Sequence, residues 1–204
     1  MRRRYDRIAP FYQFFMASMS VTPSMRRRAV QRLKLQPGQT VVEIGCGSGA
    51  HLGMLATAVG PEGTVIGVDI SPGMLARARQ LAEKRGWRNV TLVEDDAMNP
   101  TAFDHMDGVF FGLSYAIIPD PRAALRQAWA RLAPGGRIVI SEGHLPQRLR
   151  RLRPFIQTMS RATVLGDVER RPWEDLAELT DGVETERLRG GLYVITVAQK
   201  PAST

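Results

Sequence analysis

The chain has 204 residues, 44% of them hydrophobic, which is enough for one substantial core with appendages. Its single cysteine, Cys46, excludes an intramolecular disulfide, and no run of 18 apolar residues is present to cross a bilayer. The net charge of +8 is localised: residues 1–34 hold nine Lys or Arg against Asp6 alone, whereas the other 170 residues hold 19 of each sign.

In chain order, the opening "RRRYDRIAPFYQFFMASM" sets Ile8, Phe11, Phe14, Phe15 and Met19 on one helical face, with Arg2–Arg4 before it and Arg26–Arg28 after it. Pro10, Tyr12 and Gln13 interrupt the apolar run, so residues 1–35 read as a basic amphipathic lid or membrane-contact segment rather than a signal peptide. From residue 36 the pattern alternates. "TVVEI" (40–44), "TVIGVD" (64–69), "VTLV" (90–93), "GVFFG" (108–112) and "RIVIS" (137–141) are strand candidates, with helical patterns near 48–58, 73–85 and 121–132 between them. Such alternation predicts an α/β domain over 36–204, a parallel sheet with helices on both faces. After residue 142 comes a second basic amphipathic stretch, 144–165, in which Leu149, Leu152, Ile156 and Met159 share a stripe among Arg148, Arg150, Arg151 and Arg153. Pro154 breaks or kinks it. A helix near 173–180 and two strands, 183–188 and 192–198, joined through Gly190 and Gly191, close the chain as an antiparallel hairpin. The two basic segments suit either an anionic partner, a phospholipid surface or a nucleic acid backbone, or a solvated face.

The chemistry begins at "VVEIGCGSG" (41–49), where a strand runs into Gly45, Gly47 and Gly49 before a helix. Glycines there let the backbone turn sharply and approach a ligand closely. Glu43, two residues before the first glycine, would repel a pyrophosphate, which disfavours a plain dinucleotide site. Asp69 ends the second strand, where a carboxylate can accept hydrogen bonds from both ribose hydroxyls, and Asp95 and Asp96 follow the third within reach of an adenine amino group. This row of carboxylates suits a ligand with ribose and adenine, no phosphate and a positive charge.

"VVEIGCGSG", "VIGVDISPGML", "VEDDAMN" and "LAPGGRIVISE", in that order and spacing, resemble the successive motifs of class I S-adenosylmethionine-dependent methyltransferases. The resemblance covers roughly residues 36–142 and implies a Rossmann-like, seven-stranded, mostly parallel sheet in the order 3-2-1-4-5-7-6, with S-adenosyl-L-methionine across strands 1 to 3 and S-adenosyl-L-homocysteine as product. Carried onto this chain, it places Glu43, Gly45, Gly47 and Gly49 at the methionyl end of the cofactor and Asp69 on the ribose. Ile70 and Met74 would pack on the adenine, and Asp96, Ala97 and Met98 would surround its edge. Cys46 reads as a small filler, and His51, in the first helical turn, could approach the cofactor but reads rather as an ordinary helix-surface residue. No metal is expected.

For the acceptor, Tyr115 in "GLSYAIIPD" and His144 after the fifth strand are the expected proton-handling residues. The Asn-Pro-Pro-Tyr signature of nucleic acid and protein amide methylation is absent, which counts against a DNA-adenine enzyme, and with no added RNA-binding module no nucleic acid partner is expected. "YDRIAPFYQFF" ahead of such a domain resembles small bacterial phosphatidylethanolamine N-methyltransferases and, more distantly, the ubiquinone and menaquinone C-methyltransferases. On the first resemblance a lipid amine is methylated towards phosphatidylcholine, Tyr5 and Tyr12 lie over the cofactor, and Arg148 or Arg151 pairs with the lipid phosphate. The protein would then sit in the cytoplasm against the inner face of the membrane. The alternatives are C-methylation of a quinone precursor, or methylation of another small molecule or RNA.

Overall fold

The computed structural model describes residues 21–101, 103–146, 167 and 169–202. Tyr5, Tyr12, Arg148 and Arg151, and with them most of both basic amphipathic segments, lie outside the described residues.

Helices α1 (Pro23–Gln31), α3 (Pro72–Arg85) and α4 (Pro121–Arg131) begin in one way. A Thr, Ser or Asp stands at the cap and a proline follows it. The cap oxygens of Thr22, Ser71 and Asp120 accept from the backbone N–H of Met25, Met74 and Ala123 at 3.4, 3.2 and 2.9 Å. The proline costs nothing at a position whose N–H has no helical partner. Helix α2 (Leu52–Val59) instead grows out of the glycine turn, and α5 (Pro172–Ala177) is a short helix before the final strands.

Seven strands form one sheet in the order β3-β2-β1-β4-β5-β7-β6. They are β1 (Thr40–Ile44), β2 (Thr64–Asp69), β3 (Val90–Glu94), β4 (Met106–Gly112), β5 (Leu132–Gly143), β6 (Val183–Leu188) and β7 (Tyr193–Gln199). The first five are parallel, while β7 runs antiparallel to both β5 and β6. The expected sheet order is therefore the observed one. Strand β5 is longer than "RIVIS", since Leu132 also pairs, with Met106 across an irregularity in the register. Helix α2 starts later than the apolar pattern indicates because Gly45, Gly47 and Gly49 all take positive φ and hold the chain in a turn.

Period-two alternation sorts the strand side chains into two cores. Val41, Val65, Phe110 and Val139 pack with Met25, Ala29, Leu55 and Leu75 on the side of α1, α2 and α3. Val42, Val68, Phe111 and Ile140 pack with Leu125 and Leu176 on the side of α4 and α5. Residues 21–35, grouped with the basic N-terminal segment on charge, thus belong partly to the core: Met25, Ala29, Val30 and Leu33 are buried. Two further arginines of this region, Arg28 and Arg32, pair with Glu186 and Glu184 of β6. Among the described residues no helix is long and apolar enough to cross a membrane.

The chain order changes direction between β1 and β4, so the loops after β1 and β4 diverge and leave a crevice at the carboxyl ends of the strands.

Candidate cofactor site

That crevice holds a cavity of about 140 Å³. One wall is the glycine turn, with Gly45 and Gly47, and another is Asp69, Ile70 and Met74 after β2. Asp95, Asp96, Ala97 and Met98 form the far end, and Ser114, Ile117, Ile118 and Pro119 close it from the β4 side. The structure therefore gathers eight of the expected cofactor residues around one space.

Gly45 is required by two observations together. Its φ is +72°, and a Cβ there would stand 2.5 Å from Cβ of Ser114. Ser114 donates its hydroxyl to the Ile44 carbonyl at 2.5 Å, which fixes the loop after β4 against the end of β1. Asp69 is locked from its own side of the turn. Its Oδ2 accepts from Gly47 N–H at 2.8 Å and its Oδ1 from Ser71 N–H at 2.9 Å. Burial pushes the Asp69 carboxyl above its ordinary range, against the opposing pull of those two backbone donors. Each oxygen retains capacity for a further donor such as a hydroxyl. Asp96 accepts from Met98 N–H at 2.9 Å, and Asp95 from Asp96 N–H at 2.8 Å and Thr101 N–H at 2.7 Å, so the loop after β3 is ordered by its own carboxylates.

Ile70 is 43% exposed, one of the two large exposed hydrophobic side chains among the described residues, and it flanks the cavity beside buried Met74. An apolar side chain left open beside a fixed carboxylate fits a nucleoside, whose ring has apolar faces and whose sugar carries hydroxyls. Three acids around the cavity, Asp69, Asp95 and Asp96, also favour a cation over a phosphate. The donor set and the shape thus fit S-adenosylmethionine.

Other expected residues fall elsewhere. Gly49, at φ +88°, faces Leu52 and Ala78 and serves close packing of the turn on α3. Glu43 is fully buried beneath the turn and is not part of the cavity wall. Its Oε1 is bonded to His51 Nδ1 at 2.7 Å. His51 is not on a helix surface: it is 2% exposed and stacks edge-on against Phe110 with centroids 5.1 Å apart. Cys46 is buried, and burial first, with Asp69 and Glu43 nearby, raises its thiol well above the ordinary value, so it is held as a neutral thiol.

The two expected proton-handling residues are not at the cavity either. The short 3-10 turn Tyr115–Ile117 rotates Tyr115 into the core, edge-on to Phe111, with its hydroxyl donating to Asp175 at 2.8 Å. Burial, then the bond to Asp175, raises its pKa. It is an anchor for α5. His144 packs edge-on against Trp173 at 5.2 Å, over which Arg187 also lies at 5.1 Å. What the sequence missed on this side are Ser114, Ile117 and Ile118, neighbours of Tyr115 in the same apolar "SYAII" run.

Known proteins agree with this geometry. Residues 41–136 match the family described as a methyltransferase domain. The fold is shared with a SAM-dependent methyltransferase from Aquifex aeolicus (TM-score 0.66, 19% identity, 85% of this chain and 88% of that one). It is likewise shared with a precorrin-6y C5,15-methyltransferase from Geobacter metallireducens (TM-score 0.66, 21% identity, 90% and 91%). Residues 41–136 thus match a methyltransferase domain, and the chain shares the fold of S-adenosylmethionine-dependent methyltransferases of known structure.

Among sequence relatives, it is 39% identical to an aklanonic acid methyltransferase of a Streptomyces strain over 67% of this chain and 59% of that protein. It is 36% identical to a 2-phytyl-1,4-naphtoquinone methyltransferase of Synechococcus elongatus over 70% and 63%. It is 30% identical to a demethylmenaquinone methyltransferase of Anoxybacillus flavithermus over 72% and 63%. The matched region thus spans about three fifths of these relatives' lengths.

Proposed function

We propose that this protein transfers a methyl group from S-adenosylmethionine to a ring carbon of a reduced quinone. The observation that carries the reading is its 30% to 36% identity to two naphthoquinone-type methyltransferases. An apolar wall of Ile117, Ile118 and Pro119 on the β4 side of the cavity suits a flat, apolar acceptor. The sequence-level expectation of a phospholipid amine has the basic runs as its support. Arg26, Arg28 and Arg32 of those runs bond within the chain, and the relatives named above act on other chemistry, so the ring acceptor stands ahead.

The cofactor supplies a sulfonium methyl that is already activated. The protein's share is to bind, orient and exclude water. Asp69 would hold the ribose hydroxyls, Ile70 and Met74 the adenine faces, Asp96 and Ala97 its edge, and the Gly45–Gly47 turn the methionyl end. Loss of a proton from a ring hydroxyl makes the neighbouring ring carbon nucleophilic. Attack on the methyl of a bound cofactor would form the C–C bond and release S-adenosylhomocysteine as the S–C bond breaks, and the ring proton would leave to solvent.

The test is purified protein with methyl-labelled S-adenosylmethionine and three separate acceptors: a reduced naphthoquinone lacking its ring methyl, phosphatidylethanolamine vesicles, and RNA. Label in the ring product supports the proposal. Label confined to the phospholipid moves the function to the headgroup amine, and label confined to RNA overturns both.

We also infer a peripheral membrane association on the cytoplasmic side, supported by the charge of Arg2, Arg3, Arg4 and Arg7 and suited to a lipid-soluble acceptor. Co-sedimentation with anionic vesicles, lost at high salt, is the expected outcome. Equal sedimentation with neutral vesicles would contradict it.

A further inference from the structure

Helix α1 lies before the region matched to the methyltransferase family, yet one of its side chains reaches the base of the glycine turn. Arg26 Nη1 lies 3.1 Å from His51 Nε2, and His51 Nδ1 lies 2.7 Å from Glu43 Oε1. The chemistry of this chain of three fixes the proton. A guanidinium can only donate, so Nε2 must accept; Nδ1 therefore carries the hydrogen and donates to the carboxylate. A second proton on the ring would set an N–H against an N–H and one cation against another.

The surroundings hold the chain in place. His51 and Glu43 side chains are 3% and 1% exposed. A Cβ on Gly112 would stand 2.6 Å from the His51 ring, so the end of β4 is shaped around it. The other carboxylate oxygen, Glu43 Oε2, is buried and has no hydrogen-bond partner among the described residues. A buried carboxylate oxygen left without a donor is costly, so the carboxylate depends on its bond to His51 for its place. Glu43 stands two residues before Gly45 of the cavity wall and pairs in register with Gly67 of β2, two residues before Asp69.

We propose that Arg26 and His51 are positioning residues of the cofactor site, which hold Glu43 beneath the glycine turn and make cofactor affinity depend on helix α1. Arg26 holds the His51 tautomer, His51 holds the carboxylate, and the carboxylate sets the turn on which Gly45 and Gly47 stand. The inference rests on the cofactor reading and not on the acceptor. Failure of the acceptor panel leaves it intact, and its own failure leaves the acceptor open.

Two measurements test it. In nitrogen-detected NMR of the full chain, His51 is expected as the neutral ring with hydrogen on Nδ1, and R26M is expected to mix the tautomers. A native ring with hydrogen on Nε2 would overturn the proposal. In calorimetric titration with S-adenosylhomocysteine, R26M and H51A are expected to bind roughly tenfold or more weakly, with partial recovery in R26K and in H51N, whose amide can still donate to Glu43. R28A, which removes a different anchor of the same helix, is expected to bind as the native protein does. If H51A fails to fold, R26M and R26K alone decide. Native affinity in R26M, or equal loss in R28A, would show that α1 matters only as packing and would overturn the proposal.

Discussion

Gly45 touches Ser114 so closely that G45A must push the end of β1 away from the loop after β4. Positive φ adds a backbone cost, and together these are expected to destabilise the fold by about 2–4 kcal/mol and to weaken cofactor binding. Thermal denaturation and a cofactor titration check it, and a native-like pair of values would show that the loop can yield. Tyr115 makes a contrasting case. Y115F removes one hydroxyl bond to Asp175 and is expected to cost about 1 kcal/mol while leaving cofactor affinity unchanged. A loss of turnover by a hundredfold or more at saturating substrate would instead make Tyr115 a proton acceptor.

Glu142, buried at the end of β5, accepts from Ala116 N–H at 3.2 Å and so steadies the same turn. Burial holds its carboxyl at about 8, against an ordinary value of 4.5, with the Ala116 and Tyr115 amides and Arg170 acting in the opposite sense. A raised carboxyl binds its proton more tightly in the folded state. Its contribution to stability is full below the ordinary value of 4.5 and is lost as the pH rises through about 8. E142Q, neutral at every pH, is expected to show a smaller fall in Tm than the native chain between about pH 5 and pH 9. Parallel Tm curves would contradict the assignment.

At the scale of elements, strands and long helices were legible because burial on one or two faces leaves a period in the sequence. "TVIGVD" and "PGMLARARQLAEKR" are strand β2 and helix α3 with hardly a residue of difference. Helix α1 was obscured by its charge. "PSMRRRAVQ" reads as a basic tail, but Met25, Ala29 and Val30 face the core while Arg28 and neighbouring Arg32 reach across to β6. Those two ion pairs are exposed on at least one side, so E184A and E186A are expected to cost under about 1 kcal/mol each. Removal of the Asp120 cap in D120A is expected to cost about as much as both together, near 1 kcal/mol, by urea denaturation. A smaller cost in D120A than in E184A or E186A would place the anchoring of α1 above that of α4.

His51 and Tyr115 show why the site was less legible than the fold. A histidine in a first helical turn has no pattern that marks it as buried, since its partners are Arg26, far back in the chain, and Glu43 across the turn. A three-residue turn decides whether Tyr115 or its neighbours Ser114 and Ile117 meet the cavity, and periodicity says nothing over so short a span. Asp69, Asp96 and the glycines were legible because strand ends in an open parallel sheet must point their following loops at the switch point.

For the molecule as a whole, the sheet order brings the ends of β1, β2 and β3 and the loop after β4 around one cavity, and everything proposed about methyl transfer depends on what that cavity binds. Calorimetric titration of S-adenosylmethionine into the native protein and D69A tests this most directly. One site per chain is expected in the native protein, with a loss of about 2–3 kcal/mol in D69A from removing an acceptor of two hydroxyls. No binding to the native chain, or equal affinity in D69A, would contradict it.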